Sequence, residues 1–261
     1  MTSSAPNPAS FRLVRTPIDL RFRRAALFSR EWITPHYVRV QLRGDDITGF
    51  TSLGSDDHLR IFLPEGPAET VEELRASPSR EYTPLQWGEG WLDLEFVVHG
   101  DQGVAGRWAA TAPLGDPIGI GGPRGSMVIE GTPDAWFLAG DETAVPAIRR
   151  FAEQMGEDAV GRIVVEVADP EHEITIDAPA GVPVEFVHRG DAAPTAALIA
   201  RLDGIGAEDR PEGSVFGFIA AEQAVVKAGR ALLLERWGLD SDGIVVKGYW
   251  KRETAEYHAP H

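Results

Sequence analysis

Apolar and polar positions alternate along the first half of the chain in short runs that glycine and proline cut off. Residues 37–42 (Tyr-Val-Arg-Val-Gln-Leu) alternate and stop at Gly44-Asp45-Asp46, 58–63 alternate and end at Pro64, and 92–98 close on His99-Gly100. Two shorter runs, 117–120 and 127–129, flank Gly121-Gly122-Pro123, and 107–112 is the one short helical stretch among them. Period-two runs broken at this spacing predict an antiparallel barrel or sandwich.

The pattern changes near Gly131. Short apolar runs at 135–139, 162–168, 184–188, 214–220 and 244–246 alternate with helical stretches at 144–155, 195–202 and 222–237. Buried strands alternating with helices predict a doubly wound, mostly parallel sheet. The fold class is therefore β followed by α/β. A β-domain is expected over residues 1–130, its first 20 residues a flexible or edge segment, and an α/β domain with a C-terminal tail over 131–261. No internal repeat is visible.

Composition narrows the function. Forty acidic against 25 basic residues give a net charge of −15, which repels nucleic acid and anionic membranes alike. Cysteine is absent, so disulfides, zinc-thiolate sites and Cys-ligated iron–sulfur clusters are excluded. The chain opens on small polar residues and has no run of about 18 apolar ones, which predicts a soluble, cytoplasmic protein, with a monomer as the default state.

The chemistry-bearing candidates are few. Asp56-Asp57-His58 offers metal ligands, but a solvated turn before a strand is the favoured reading, and no metal site is expected. Gly119 to Gly125 looks like a phosphate loop, yet Pro123 and the following strand make it a turn, with Arg124 as a cation fixed in it. Gly140-Asp141-Glu142-Thr143 lies between a strand and a helix, where free N–H groups favour phosphate. A helix cap is the equal alternative there. In Arg80-Glu81-Tyr82-Thr83 an arginine suited to pyrophosphate, a tyrosine suited to ring stacking and a threonine hydroxyl fall together. Strand alternation puts Arg80 and Tyr82 on one side, so a bend at Pro84 has to bring Thr83 to the same ligand. Trp87, Trp91, Trp108 and Trp136 are expected mainly in the core.

In order and spacing these pieces resemble the siderophore-interacting protein family, flavin-dependent ferric-siderophore reductases related to ferredoxin–NADP reductases. The resemblance is carried by Asp57-His58-Leu59-Arg60-Ile61-Phe62-Leu63-Pro64, Arg80-Glu81-Tyr82-Thr83-Pro84, and His99-Gly100-Asp101 with Gly106-Arg107-Trp108-Ala109. Further on come Leu114-Gly115-Asp116, Gly121 to Ser126, Ala139 to Ala144, and Lys247-Gly248-Tyr249-Trp250-Lys251-Arg252. It implies an N-terminal FAD barrel and a C-terminal NAD(P)H domain. Arg80 would face the FAD phosphates, Tyr82 would flank the isoalloxazine, and Thr83 would approach N5. His99 and Gly106, Arg107, Trp108 and Ala109 would hold the rest of FAD, with the helix start at Arg107 receiving pyrophosphate. Asp141, Glu142 and Thr143 would line the dinucleotide site, and Tyr249 or Trp250 would cover a flavin face. Val104 replaces the family's usual proline, Leu85 and Gln86 stand where a basic residue is common, and Glu253 stands where glycine is frequent.

The implied reaction takes two electrons as hydride from NADH or NADPH and delivers single electrons to iron, a conversion flavin makes. Many ferric siderophores are anionic, so a locally basic cleft is expected against the acidic background, with Arg60, Arg124 and Lys247 as its cations. Lys251 and Arg252 come second. Two other readings stand beside this one: a general NAD(P)H flavin or quinone reductase, and a ferredoxin-fed flavoprotein carrier of ferric siderophore. Arg149, Arg150 and Lys227 are cations open to a 2′-phosphate of NADPH.

Overall fold

The computed structural model describes residues 10–68, 70–98 and 103–254. The chain first runs through β1 (Phe11–Pro17), β2 (Phe22–Thr34), β3 (Tyr37–Arg43), β4 (Leu59–Phe62), α1 (Val71–Ala76), β5 (Ser79–Tyr82), β6 (Gln86–Gly88), β7 (Trp91–Val97), α2 (Val104–Thr111), β8 (Pro117–Gly121) and β9 (Gly125–Gly131). Strands β2 to β8 form one antiparallel sheet in the order β5-β4-β8-β2-β3-β7-β6. Its two edge strands, β5 and β6, are linked only by Thr83, Pro84 and Leu85. That link reaches at most roughly 14 Å even when extended, so the sheet curls until its edges meet, as the expected barrel requires.

Inward positions follow the period-two pattern. Val38, Val40 and Leu42 of β3, Leu92, Leu94 and Phe96 of β7, Ile61 of β4, and Ile118 and Ile120 of β8 are fully buried together. Each such aliphatic side chain stabilises the barrel by about 1.5–3 kcal/mol. The longest strand, β2, escaped the sequence reading for a physical reason. Only Arg23, Ala25 and Leu27 point inward before the register shifts between Leu27 and Ser29, and beyond that shift Phe28 and Trp32 are exposed. β1 pairs along its whole length with β9.

The second part comprises β10 (Ala135–Asp141), α3 (Val145–Ala152), β11 (Gly161–Val167), β12 (Val184–His188), α4 (Ala196–Asp203), β13 (Val215–Glu222), α5 (Val225–Arg230) and β14 (Ile244–Trp250). Its strands are parallel in the order β12-β11-β10-β13-β14. Strands β10 and β13 are buried along their whole length. α3 covers one face through Val145, Ile148 and Phe151, while α4 and the last helix cover the other through Leu198, Leu202 and Leu232. The chain reverses its direction of winding between β10 and β13, and ligands of such sheets bind at the carboxyl ends of the strands flanking that point.

Helix boundaries differ from the expectation. α2 begins at Val104, so Arg107 lies one turn inside it. α3 is shorter than predicted: Ala144 belongs to a 3₁₀ turn over Glu142–Ala144, and the helix stops at Ala152 rather than running on to Met155. The predicted helix over 222–237 is α5 followed by a π-helical stretch, Ala231–Arg236.

Candidate active site

The strand that closes the barrel carries the flavin-like motif. In β5, Glu81 lies opposite Arg60 and ion-pairs with it at 3.0 Å, while Tyr82 lies opposite Leu59. The Tyr82 ring packs on Phe96 at 4.2 Å, and Phe96 packs on Trp108 at 6.2 Å. Burial holds Tyr82 as a neutral phenol, its pKa raised despite nearby Arg80. Arg80 is half-buried on the same side and donates to the Ser79 carbonyl at 2.7 Å. Thr83 is buried just past the strand end, beside Tyr249 of β14.

α2 approaches from the next segment. A Cβ on Gly106 would sit 2.8 Å from the Val97 carbonyl oxygen, so only glycine lets the helix press against the end of β7. Its first turn has no side-chain cap and starts at Gly103, with φ of 86°. N–H groups at such a helix start can receive an anion, and none is capped by a side chain of Gly103. Arg107 is exposed, whereas Trp108 and Ala109 point into the barrel core. His99 lies outside the described residues.

At the carboxyl edge of the parallel sheet, the cap reading of Gly140 to Thr143 is the one observed. Asp141 accepts from Thr143 N (2.9 Å) and Oγ1 (2.5 Å), Glu222 N (3.1 Å) and Trp250 Nε1 (2.8 Å). Burial, then Glu142, pushes its carboxyl up to about 6. Glu142 is buried against Arg189 at 3.1 Å, which leaves half-buried Thr143 as the side chain reaching outward at this turn. Next to Asp141 across the sheet, Glu166 spends both oxygens on Thr195 N (2.6 Å) and Leu198 N (2.8 Å). It thereby caps α4 over a left-handed Thr195, φ 67°.

The two sheets meet along a polar seam. Arg150 of α3 donates to Ser52 Oγ (3.0 Å), Ser52 O (3.2 Å) and the Pro84 carbonyl (3.3 Å), and lies over the Trp87 ring at 4.9 Å. Arg149 pairs with buried Glu95 at 2.5 Å and donates to Thr175 O. Two of the three cations offered to a 2′-phosphate, Arg149 and Arg150, are thus spent on the seam. Gln154 binds Ser55 Oγ at 2.7 Å, Lys247 pairs with Asp56 at 2.5 Å, and the His36 and His172 rings stack at 4.0 Å.

Asp56 and Asp57 are buried, which corrects the expectation of a solvated turn. Asp57 is bonded by Ser52 Oγ, Gly54 N and Ser126 Oγ. His58 beside them keeps one edge open to solvent, yet its proton affinity is lowered, chiefly by desolvation. Lys247 acts on it directly, Arg60 is two residues along the chain, and Arg124 follows the Gly122-Pro123 turn that packs against residues 58 and 59. Sequence reasoning missed Asp56 as a partner and Arg150 as a clamp, since both partners lie about 65 or more residues away.

The family profile described as "Siderophore-interacting FAD-binding domain" matches residues 26–127, and the one described as "Siderophore-interacting protein" matches residues 133–253. This chain belongs to the siderophore-interacting protein family. Among its relatives is the ferric vibriobactin reductase ViuB of Vibrio cholerae, 30% identical over 88% of this chain and 90% of that one. Among solved structures, a siderophore utilization protein from T. fusca superposes with a TM-score of 0.82 at 33% identity, covering 95% of this chain and 98% of that one. The siderophore-interacting protein SipS from Aeromonas hydrophila gives 0.76 at 26%, covering 90% and 94%.

The residues of this siderophore-interacting protein fit FAD. Gly106 seats α2 against the end of β7, and the helix N-terminus it places there carries no side-chain cap among the described residues, as a pyrophosphate needs. The Tyr249 hydroxyl, beside Thr83 at the end of the flavin motif, is buried without a hydrogen bond of ordinary geometry, a donor left over for a cofactor at that seam.

Proposed function

We propose that this chain reduces ferric siderophores, with FAD as its cofactor and NADH or NADPH as donor, and releases ferrous iron. FAD, when bound, takes an electron pair from nicotinamide and passes electrons on singly. The carrying observation is that Thr83 of the flavin motif and Tyr249 of the parallel sheet adjoin, so the two cofactor regions share one seam. Arg80 holds the FAD phosphates, with His99 and Gly106, Arg107, Trp108 and Ala109 around the remainder. Trp108 and Ala109 serve by packing α2 rather than by touching the cofactor. Tyr82 and Thr83 flank the isoalloxazine ring and N5, and Tyr249 or Trp250 covers its other face. Thr143 faces the dinucleotide, while Asp141 and Glu142 shape its turn. Arg60, Arg124 and Lys247 border the chelate.

Iron is substrate here, held by the siderophore's own oxygens. Such hard donors hold Fe(III) better than Fe(II), so reduction frees the metal without protein ligands. Among the described residues no helix is long and apolar enough to cross a membrane. We place the enzyme in the cytoplasm, as a monomer of two domains dividing near residue 130.

The test is anaerobic stopped-flow absorbance of the flavin-loaded protein, with NADH or NADPH and then a ferric chelate beside a ferrous trap. Bleaching by a nucleotide followed by chelate-dependent recovery supports the reading. No bleaching by either nucleotide overturns the donor assignment and brings the ferredoxin-fed carrier forward. Bleaching with quinone but not chelate turnover supports the general reductase.

A further inference from the structure

The proposed cations are already largely answered. Arg60 pairs with Glu81 at 3.0 Å, and Lys247 with Asp56 at 2.5 Å, leaving Arg124 as the exposed third. Asp56 is held in place by its neighbour. Asp57 gathers Ser52, Gly54 and Ser126 around one carboxyl oxygen. A Cβ on Gly54 would lie 2.6 Å from the Met127 carbonyl oxygen, so the loop has one tight shape. From it the Asp56 carboxylate, 2% exposed, faces a Lys247 ammonium stem that is 37% exposed. Behind them, buried Arg150 offsets Asp57 and Asp56. With Arg60, Arg124 and Lys247 set against Glu81 and Asp56, and Arg150 against Asp57, this group therefore carries about one net positive charge, not three, on a chain of −15.

A trianionic chelate drawn to these cations would come up to Glu81 and to the Asp56 charge buried beneath Lys247, and would approach through a repulsive field. An uncharged chelate meets neither penalty. Resting on the reductase reading above, we infer that the ferric substrate of this site is an uncharged, hydroxamate-class chelate, and that Asp56 and Glu81 are the residues that select against tricatecholate trianions.

Gallium(III) complexes test this by binding alone, since they keep the ferric charge and size without being reduced. The flavin-loaded protein is titrated with gallium trihydroxamate (neutral) and gallium tricatecholate (3−), following flavin and tryptophan fluorescence. The neutral complex is expected to bind at least about tenfold more tightly at low salt. Asp56→Asn and Glu81→Gln are each expected to tighten the trianion roughly tenfold, an effect that shrinks at high salt, and to shift the neutral complex less than about twofold. Flavin content reports folding of Asp56→Asn. Should that variant lose flavin, Glu81→Gln, at the strand surface, gives the answer. Tighter binding of the tricatecholate by the unaltered protein, or equal shifts of both complexes in the variants, overturns the inference. If the charge preference holds but no ferric chelate is turned over with either nucleotide, the reductase reading fails while the binding preference stands.

Discussion

Asp141 links acidity to the geometry of the nucleotide edge. Its carboxyl is 3% exposed, and its pKa is raised from 3.8 to about 6 by burial and then by Glu142, against the opposing pull of Thr143 and Trp250. In the unfolded chain an aspartate ionises near 3.8. Between these values the folded chain keeps a proton that the unfolded chain has lost, so stability falls as pH rises. The slope is about 1.4 kcal/mol per pH unit, and the whole fall is about 3 kcal/mol, complete above roughly pH 6. Asp141→Asn has no proton to titrate there. The assay is denaturant unfolding of both proteins from about pH 4 to pH 7.5. Over that range the stability of the unaltered protein relative to Asp141→Asn should drop by about 2.5 kcal/mol, about 2 kcal/mol of it by roughly pH 6, and then level. A proton on Asp141 also competes with the Trp250 indole for the Oδ2 acceptor. Indole emission should therefore change with a midpoint of about 6, and Trp250→Phe should abolish that change. A difference curve that is flat, or that rises with pH, refutes the reasoning.

Arg150→Met strips the donors from Ser52 and Pro84. It should cost about 3 kcal/mol and lower Tm by roughly 6–12 °C, read by differential scanning calorimetry. Gly140→Ala places a Cβ 2.5 Å from Ala144 Cβ and 2.6 Å from the Ala220 carbonyl oxygen, so urea unfolding should show a loss of about 1–3 kcal/mol. Tyr249→Phe removes a buried hydroxyl lacking an ordinary hydrogen bond. It should stabilise the flavin-free protein by about 1 kcal/mol and weaken FAD binding, seen by thermal melts and flavin titration.

β3, β4, β7 and β8 were legible because every second side chain enters the barrel core, even though β7 and β8 are covered on their outer side as well. The parallel strands were legible as short apolar runs. β2 was not, because its bulge changes which face is buried partway along, and no local pattern encodes a bulge. β5 and β6 are too short for a period to show. Within the site, the order of the motifs marked where cofactors belong, but the pairing of Lys247 with Asp56 spans 191 residues. Pairings of that kind are set by how the two sheets dock. Sequence position therefore suggested three cations, while the structure shows two of them matched by carboxylates.

The three-residue link from β5 to β6 has a consequence of its own. It splices two sequence-local units, the β4–β5 pair and the β6–β7 hairpin, and Arg80, Tyr82 and Thr83 lie at that splice. A ligand gripped there works as a fastener across the barrel's last joint. Flavin loading should thus tighten the whole cylinder by an amount set by its concentration over its dissociation constant. Stripping the cofactor would loosen the wall of the container as well as empty it.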